Sequence, residues 1–197
     1  MKHRGLIFCG DLVPGVMNGT VTVTSRVIKP QPDGMCQDEP YWHVGGYRLR
    51  EGALYPLCCP FRVGERRYVK EAWAYWGAVV EPVSESVVVY RGDADQSGVH
   101  WRSSMFMPRW AARTWIEITA VWPARCWDMI WSEIQQSMGE LLPKWYSPTD
   151  AVSVYSALWD RLNRARGFPW TANPWVWRCA FRLCEAPKKT EMTSEKV

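Results

Sequence analysis

The sequence predicts a mixed α+β fold, a small barrel or strongly curved sheet with flanking helices on its outside and an inserted hairpin. Three observations carry that prediction. Segments rich in β-branched residues outnumber segments of helical periodicity. The helical segments fall in two groups, one after the first strand and two before the last, with several short β-connections between. Finally, Gly45-Gly46 lies between a Pro/Gly break and the next core strand, where a hairpin projects as an insertion.

The elements follow in order. Leu6 to Cys9 reads as the first strand, ending at Gly10. Asp11 opens a short helix through Met17, with Pro14 tolerated in the first turn and Gly19 as the stop. Val21 to Ile28 is dense in β-branched residues and reads as a strand, broken by Pro30-Gln31-Pro32-Asp33-Gly34. An insertion over about residues 33–60 holds the hairpin, Tyr41 to Val44 and Tyr47 to Arg50 around the two glycines. Tyr68 to Ala74 follows the Gly64-Glu65 turn as one core strand. Val87 to Tyr90 is the next, with a pairing segment near Val99 to Arg102.

Thr114 to Trp122 is a strong strand. Ser132 and Gln135 have the spacing of a capping box for a helix that stops at Gly139. Thr149 reads as the cap of a longer helix whose Val152, Tyr155, Trp159 and Leu162 recur at helical spacing, ending at Gly167. After Asn173-Pro174, Trp175, Trp177, Cys179, Phe181 and Leu183 alternate with Arg178 and Arg182, the pattern of a half-buried strand. Residues 1–184 read as one domain and 185–197, polar and charge-balanced, as a disordered tail.

Composition narrows the functional classes. Fourteen tryptophans stand among 17 arginines and 7 lysines in 197 residues. Tryptophan buries the most apolar area of any side chain, so most of the fourteen belong to the core. Trp and Arg are also the residues best suited to flat anionic ligands, one by stacking and one by a planar fork. The net charge of +4 is unevenly spread. Arg48, Arg50, Arg62, Arg66, Arg67 and Lys70 face only Glu51 and Glu65 between Val44 and Lys70. Four arginines face only Glu117 between Trp101 and Arg125, whereas Glu81 to Asp95 is acidic. A surface polarised in this way suits an anionic partner.

No apolar run approaches the roughly 18–20 residues that span a bilayer, and no signal-peptide pattern follows Met1, so the expected place is the cytoplasm with no membrane partner. Seven cysteines without framework spacing read as free thiols. Cys36, His43, Cys58 and Cys59 match no standard zinc spacing, so no metal and no cofactor is expected. No serine or cysteine triad, nucleophile elbow or phosphate-binding glycine loop is present.

Several blocks resemble a known family. Leu6 to Gly10, then Gly19 to Arg26 (GTVTVTSR) running into Pro30-Gln31-Pro32, is similar to phage and prophage proteins with an ASCH domain. Gly64 to Ala74 (GERRYVKEAWA) resembles that family's glycine–acid block with its Lys-Glu-x-Trp end. Met107 to Arg113 (MPRWAAR) resembles its MPRWASR block. Leu158-Trp159-Asp160 and Asn173 to Trp177 match its closing helix and strand, so the resemblance runs collinearly over about residues 5–184. It implies a PUA-like β-barrel of phage or prophage origin, in a bacterial host, that binds RNA or a modified nucleoside.

The family's Gly-x-Lys-x-x-Thr-x-Arg signature maps onto Gly19, Val21, Thr24 and Arg26, with valine in place of lysine. A branch of the family hydrolyses N4-acetylcytidine with that lysine, the threonine and a downstream glutamate that Glu71 matches; another branch cleaves RNA. Valine neither tunes a proton transfer nor stabilises an oxyanion. Thr24 and Glu71 are therefore the catalytic candidates only if the protein is an enzyme. Arg26 and Lys70 are the nearby cations that could stand in for the lysine, but neighbouring strand residues point to opposite faces, which sets Lys70 away from Glu71.

The ligand-binding candidates are Arg26, Trp73, Arg109 and Trp110, with Trp42, Arg48 and Arg50 on the inserted hairpin. Cationic, aromatic, loop-like segments are the pattern of single-strand or flipped-base recognition, with Glu71 accepting from an exocyclic amine while Trp73 or Trp110 stacks. Trp76, Trp122, Trp127, Trp131, Trp145 and Trp170 are assigned to packing. The leading expectation is thus a module for RNA or a modified nucleobase, with single-stranded DNA as a second ligand class. The alternatives are a hydrolase of acylated cytidine or RNA, and a phage protein-interaction factor whose protein partner the sequence does not name.

Overall fold

The computed structural model describes residues 4–32, 34–35, 41–44, 47–50, 59–76, 87–93, 98–142 and 147–187. The fold is mixed α+β. Its strands are β1 (Gly5–Ile7), β2 (Val23–Val27), β3 (Gly34–Met35), β4 (Tyr41–Val44), β5 (Tyr47–Arg50), β6 (Arg66–Lys70), β7 (Trp73–Trp76), β8 (Val87–Tyr90), β9 (Trp115–Arg125) and β10 (Trp175–Cys184). Among the described residues the α-helices are α1 (Val13–Met17), α2 (Trp131–Met138) and α3 (Pro148–Asn163). Five strands form a mixed sheet in the order β1-β6-β9-β10-β2, and among the described residues it does not close into a barrel. The predicted hairpin is β4–β5, to which β3 adds a third strand, and β7–β8 form a separate pair.

Two compact units divide the chain. The first comprises 1–20, 65–117 and 182–197. In it β1 pairs parallel with β6, which pairs antiparallel with the start of β9. Leu6, Val69 and Ile116 are buried on these strands, as are Phe8, Val13 and Val16 beside them. A short 3-10 turn, Gly10–Leu12, precedes α1. The α1 stop is conformational: Gly19 has φ +77°, a value that a residue with a Cβ rarely adopts.

Most informative here is the break at Glu71. The sequence predicts one strand from Tyr68 to Ala74, but β6 ends at Lys70 and β7 begins at Trp73. The Glu71 amide donates to Met107 Sδ at 3.2 Å instead of to a neighbouring strand. The chain thereby leaves one sheet and enters another.

The second unit comprises 21–64 and 118–181. Here β2 runs antiparallel to β10, with Thr24 opposite Cys179 and Arg26 opposite Trp177. Gln31 extends the pairing with its side chain: its amide donates to the Ile28 and Trp175 carbonyls and its carbonyl accepts from the Trp175 amide. The core of this unit joins Cys126, Ile134, Met138, Leu142, Ala151, Tyr155, Trp159 and Val176. Burial pushes the Cys126 thiol up to about 12, which keeps it a thiol rather than a thiolate. Cys9, Cys59, Cys126, Cys179 and Cys184 form no disulfide.

Both helix starts differ from the sequence expectation. Helix α2 begins one residue before Ser132, and its N-terminal amide at Ile130 donates to Glu133 Oε2 at 3.1 Å. The cap of α3 is Ser147, not Thr149. Its hydroxyl accepts from the Asp150 amide, and Pro148 fills the first helical position, where no N–H is needed. The buried stripe of α3 is Ala151, Tyr155, Trp159 and Asn163, whereas Val152 and Leu162 are exposed. Both sets fit helical spacing, and the narrow stripe is selected because small Ala151 and self-bonded Asn163, whose amide donates to the Trp159 carbonyl, allow close packing. Gly167, at φ +85°, ends the helical segment as expected.

Alternation on β10 holds only in part. Arg178, expected on a solvent face, is 2% exposed. Its guanidinium donates to Glu133 Oε2 at 2.7 Å and to the Asp128 and Arg125 carbonyls at 3.0 and 2.9 Å. Residues 125–133 cover that face and supply acceptors for the charge, so both faces of the strand are buried there. Leu183, by contrast, is exposed near the strand end. No helix among the described residues is long and apolar enough to cross a membrane.

Candidate functional site

The break at Glu71 organises a cluster wholly within the first unit. Glu71 is 4% exposed, and a buried carboxylate requires a partner. Arg113 supplies it as a fork, Nε to Oε1 at 2.8 Å and Nη2 to Oε2 at 2.7 Å. Its remaining Nη1 donates to Asp93 Oδ2 at 2.5 Å, and the guanidinium lies 3.9 Å from the centroid of the Tyr90 ring. Burial lowers the Arg113 pKa, but hydrogen bonds to Glu71 and Asp93 outweigh it and hold the value above that of an ordinary arginine.

The Tyr90 hydroxyl donates to the Ala111 carbonyl at 2.6 Å. Burial raises the Tyr90 pKa, partly opposed by the Arg113 charge. A folded-state pKa raised above the unfolded value of about 10 contributes stability that is present below that pH and lost as pH rises through the folded pKa. Alkaline titration of tyrosinate absorbance should therefore show a late component that is missing from Tyr90→Phe, with stability falling over the same range. A Tyr90 component at the ordinary value would contradict this.

These bonds clamp the loop from Trp101 to Arg113. At one end, Trp73 and Arg102 exchange backbone hydrogen bonds of 3.3 and 2.8 Å. In the middle, the Ser103 hydroxyl accepts from the Met105 amide and caps a 3-10 turn, Ser104–Phe106, while Lys70 Nζ donates to the Met105 carbonyl at 2.7 Å. Met107 and Ala111 are buried against Trp73.

What the clamp holds in place is an aromatic cluster. Trp73 and Tyr75 share one face of β7, with ring centroids 5.1 Å apart. Trp110 stacks on Tyr75 at 5.9 Å and 23° and meets Trp73 edge-on at 5.9 Å and 89°. The Arg102 guanidinium lies 5.2 Å from the Trp73 ring and 4.8 Å from the Tyr75 ring. Trp110 is 57% exposed, so much of the indole is open to solvent while Tyr75 and Trp73 brace the ring.

The sequence candidates distribute unevenly over this arrangement. Trp110 is the exposed platform. Trp73 is 2% exposed and cannot offer a face to a ligand, so it backs the platform rather than stacking on a base. Glu71 has both carboxylate oxygens engaged by Arg113, so it positions the loop and is not free to accept from an exocyclic amine. Arg109 is half-buried, with its guanidinium over the Trp115 ring at 5.4 Å, not at Trp110.

Thr24 and Arg26 belong to β2 in the second unit and are half-buried. Val21 is buried there as an apolar wall. Trp42, Arg48 and Arg50 lie on β4 and β5, with Trp42 opposite Leu49, but their side chains are outside the described residues. Cys36, Cys58, Trp145 and the side chains of His43 and Trp76 are also outside them. Trp127, assigned to packing, is instead half-exposed, with its indole N–H donating to the Trp170 carbonyl at 2.8 Å. Among the described residues, no group of three or more His, Cys, Asp or Glu could hold a metal ion.

Sequence reasoning missed Tyr75, Tyr90, Asp93, Arg102 and Arg113. One signal was readable. The acidic segment ending at Asp95 and the basic segment from Trp101 are close in sequence and opposite in charge, which favours pairing such as Asp93 with Arg113. Nothing local marks Arg113 as the partner of Glu71, 42 residues away. Comparisons with protein-family models, with curated proteins and with solved structures returned no match.

Proposed function

We propose that this protein is a nucleic-acid-binding module that takes an unpaired base of RNA, or a modified nucleobase, on the exposed indole of Trp110. The observation that carries the reading is the braced, exposed indole beside a cation: Trp110 stacked on Tyr75, with Arg102 over the adjoining rings. A free indole face stacks on any base, and a nearby guanidinium favours the phosphate that accompanies it. Clamping the loop in advance reduces the ordering entropy that binding would otherwise require.

The collinear resemblance to ASCH domains supports the same reading and extends it to a PUA-like module of phage or prophage origin acting in the bacterial cytoplasm. Binding is favoured over hydrolysis. The glutamate that would serve catalysis is held in a bidentate ion pair, and the position of the family lysine is a buried valine.

Fluorescence anisotropy with labelled single-stranded RNA, single-stranded DNA and heparin tests the proposal. RNA should bind more tightly than heparin at equal salt, with affinity falling as salt rises. Equal and weak binding of all three polyanions would leave only non-specific charge attraction and overturn it.

A further inference from the structure

Phe106 is 74% exposed, more than any other described large hydrophobic side chain. It is not on a loose segment. Its 3-10 turn is capped by Ser103, and the Phe106 amide donates to the Ser103 carbonyl at 3.0 Å. Lys70 holds the preceding carbonyl, and the following residue, Met107, is buried with its sulfur accepting from the Glu71 amide. A rigid turn that holds a phenylalanine in water is an unfavourable arrangement unless something covers the ring.

The surroundings indicate what does. On this loop Arg113 is neutralised by Glu71 and Asp93, but Arg102 is exposed and residues 101–113 contain no acidic residue, which suits a polyanion. Phe106 and Trp110 are four positions apart on one clamped loop, both exposed, while Met107 and Ala111 between and beside them are buried. That chain length spans at most about 14 Å. We infer that Phe106 is a second stacking platform, so that the loop grips two neighbouring bases of one unpaired strand, one on Trp110 and one on Phe106. The inference rests on the Trp110 reading and makes the ligand a strand rather than a single nucleoside.

Labelled oligouridylate, followed by anisotropy, decides it. Phe106→Ala should bind roughly tenfold more weakly, Phe106→Leu should be as weak, and Phe106→Trp should restore affinity, because stacking needs a π-face and not merely an apolar group. Circular dichroism should be unchanged for so exposed a side chain. Wild-type affinity in Phe106→Ala or Phe106→Leu, with Trp110→Ala still weakened, would sink the second platform and leave the first standing. Wild-type affinity in Trp110→Ala would instead remove the reading on which it rests. Cosedimentation with anionic phospholipid vesicles that is lost in Phe106→Ala, with oligouridylate binding unaltered, would assign the ring to a lipid surface and overturn the inference.

Discussion

Replacing Trp110 with alanine should weaken binding of a single-stranded oligonucleotide by roughly 5- to 150-fold, the range expected from one lost base–aromatic stack. The fold should survive. Trp110 is more than half exposed, and its edge and stacking contacts with Trp73 and Tyr75 contribute about 1 kcal/mol each beyond area burial. Those two contacts alone should lower the thermal midpoint by roughly 4–8 °C for a chain of this size, well short of unfolding it. The dependence of affinity on salt should not change, because an indole neutralises no phosphate. A Trp110→Ala protein that loses affinity and salt dependence together would point to a collapsed loop, and full affinity would end the base-stacking reading.

The second large effect concerns stability. Arg113→Met should destabilise the protein by about 3–5 kcal/mol at neutral pH, because it strands the Glu71 carboxylate in a buried position with no counter-charge. Glu71→Gln should be milder, about 1–2 kcal/mol. In that variant Arg113 keeps Asp93 and partial contact with solvent, and its side chain is 23% exposed against 4% for Glu71. Arg113→Lys should fall between them, since an ammonium keeps the charge but cannot reproduce the fork. Chemical denaturation of the three variants checks the order. Equal losses in Arg113→Met and Glu71→Gln would mean that the broken fork, and not the stranded carboxylate, sets the effect.

Both predictions depend on contacts that differ in how far they can be read from the chain. Trp110 stands out locally, in a basic stretch with no apolar periodicity. Its support does not. Tyr75 reaches it from β7, and Arg102 reaches Tyr75 across a backbone bridge. The end of β6 at Lys70 is likewise invisible in a run of strand-forming residues, because the Glu71 amide finds its acceptor in Met107, 36 residues on. Arg178 illustrates the same limit. Strand alternation sends it to solvent, and only the arrival of Glu133 and two carbonyls makes its burial tolerable.

What the sequence determined by itself is whatever depends on a residue and its near neighbours. The hairpin around Gly45-Gly46, the stops at Gly19 and Gly167 and the mixed α+β class follow from backbone sterics and short-range periodicity, which act within a few residues. Tertiary structure decided which of two permitted stripes of α3 is buried, which residue caps it, and what Glu71 does. A buried carboxylate takes its role from whichever cation the fold brings within hydrogen-bond distance. Here that cation is Arg113, and the pairing turns a candidate catalytic acid into the anchor of an aromatic loop.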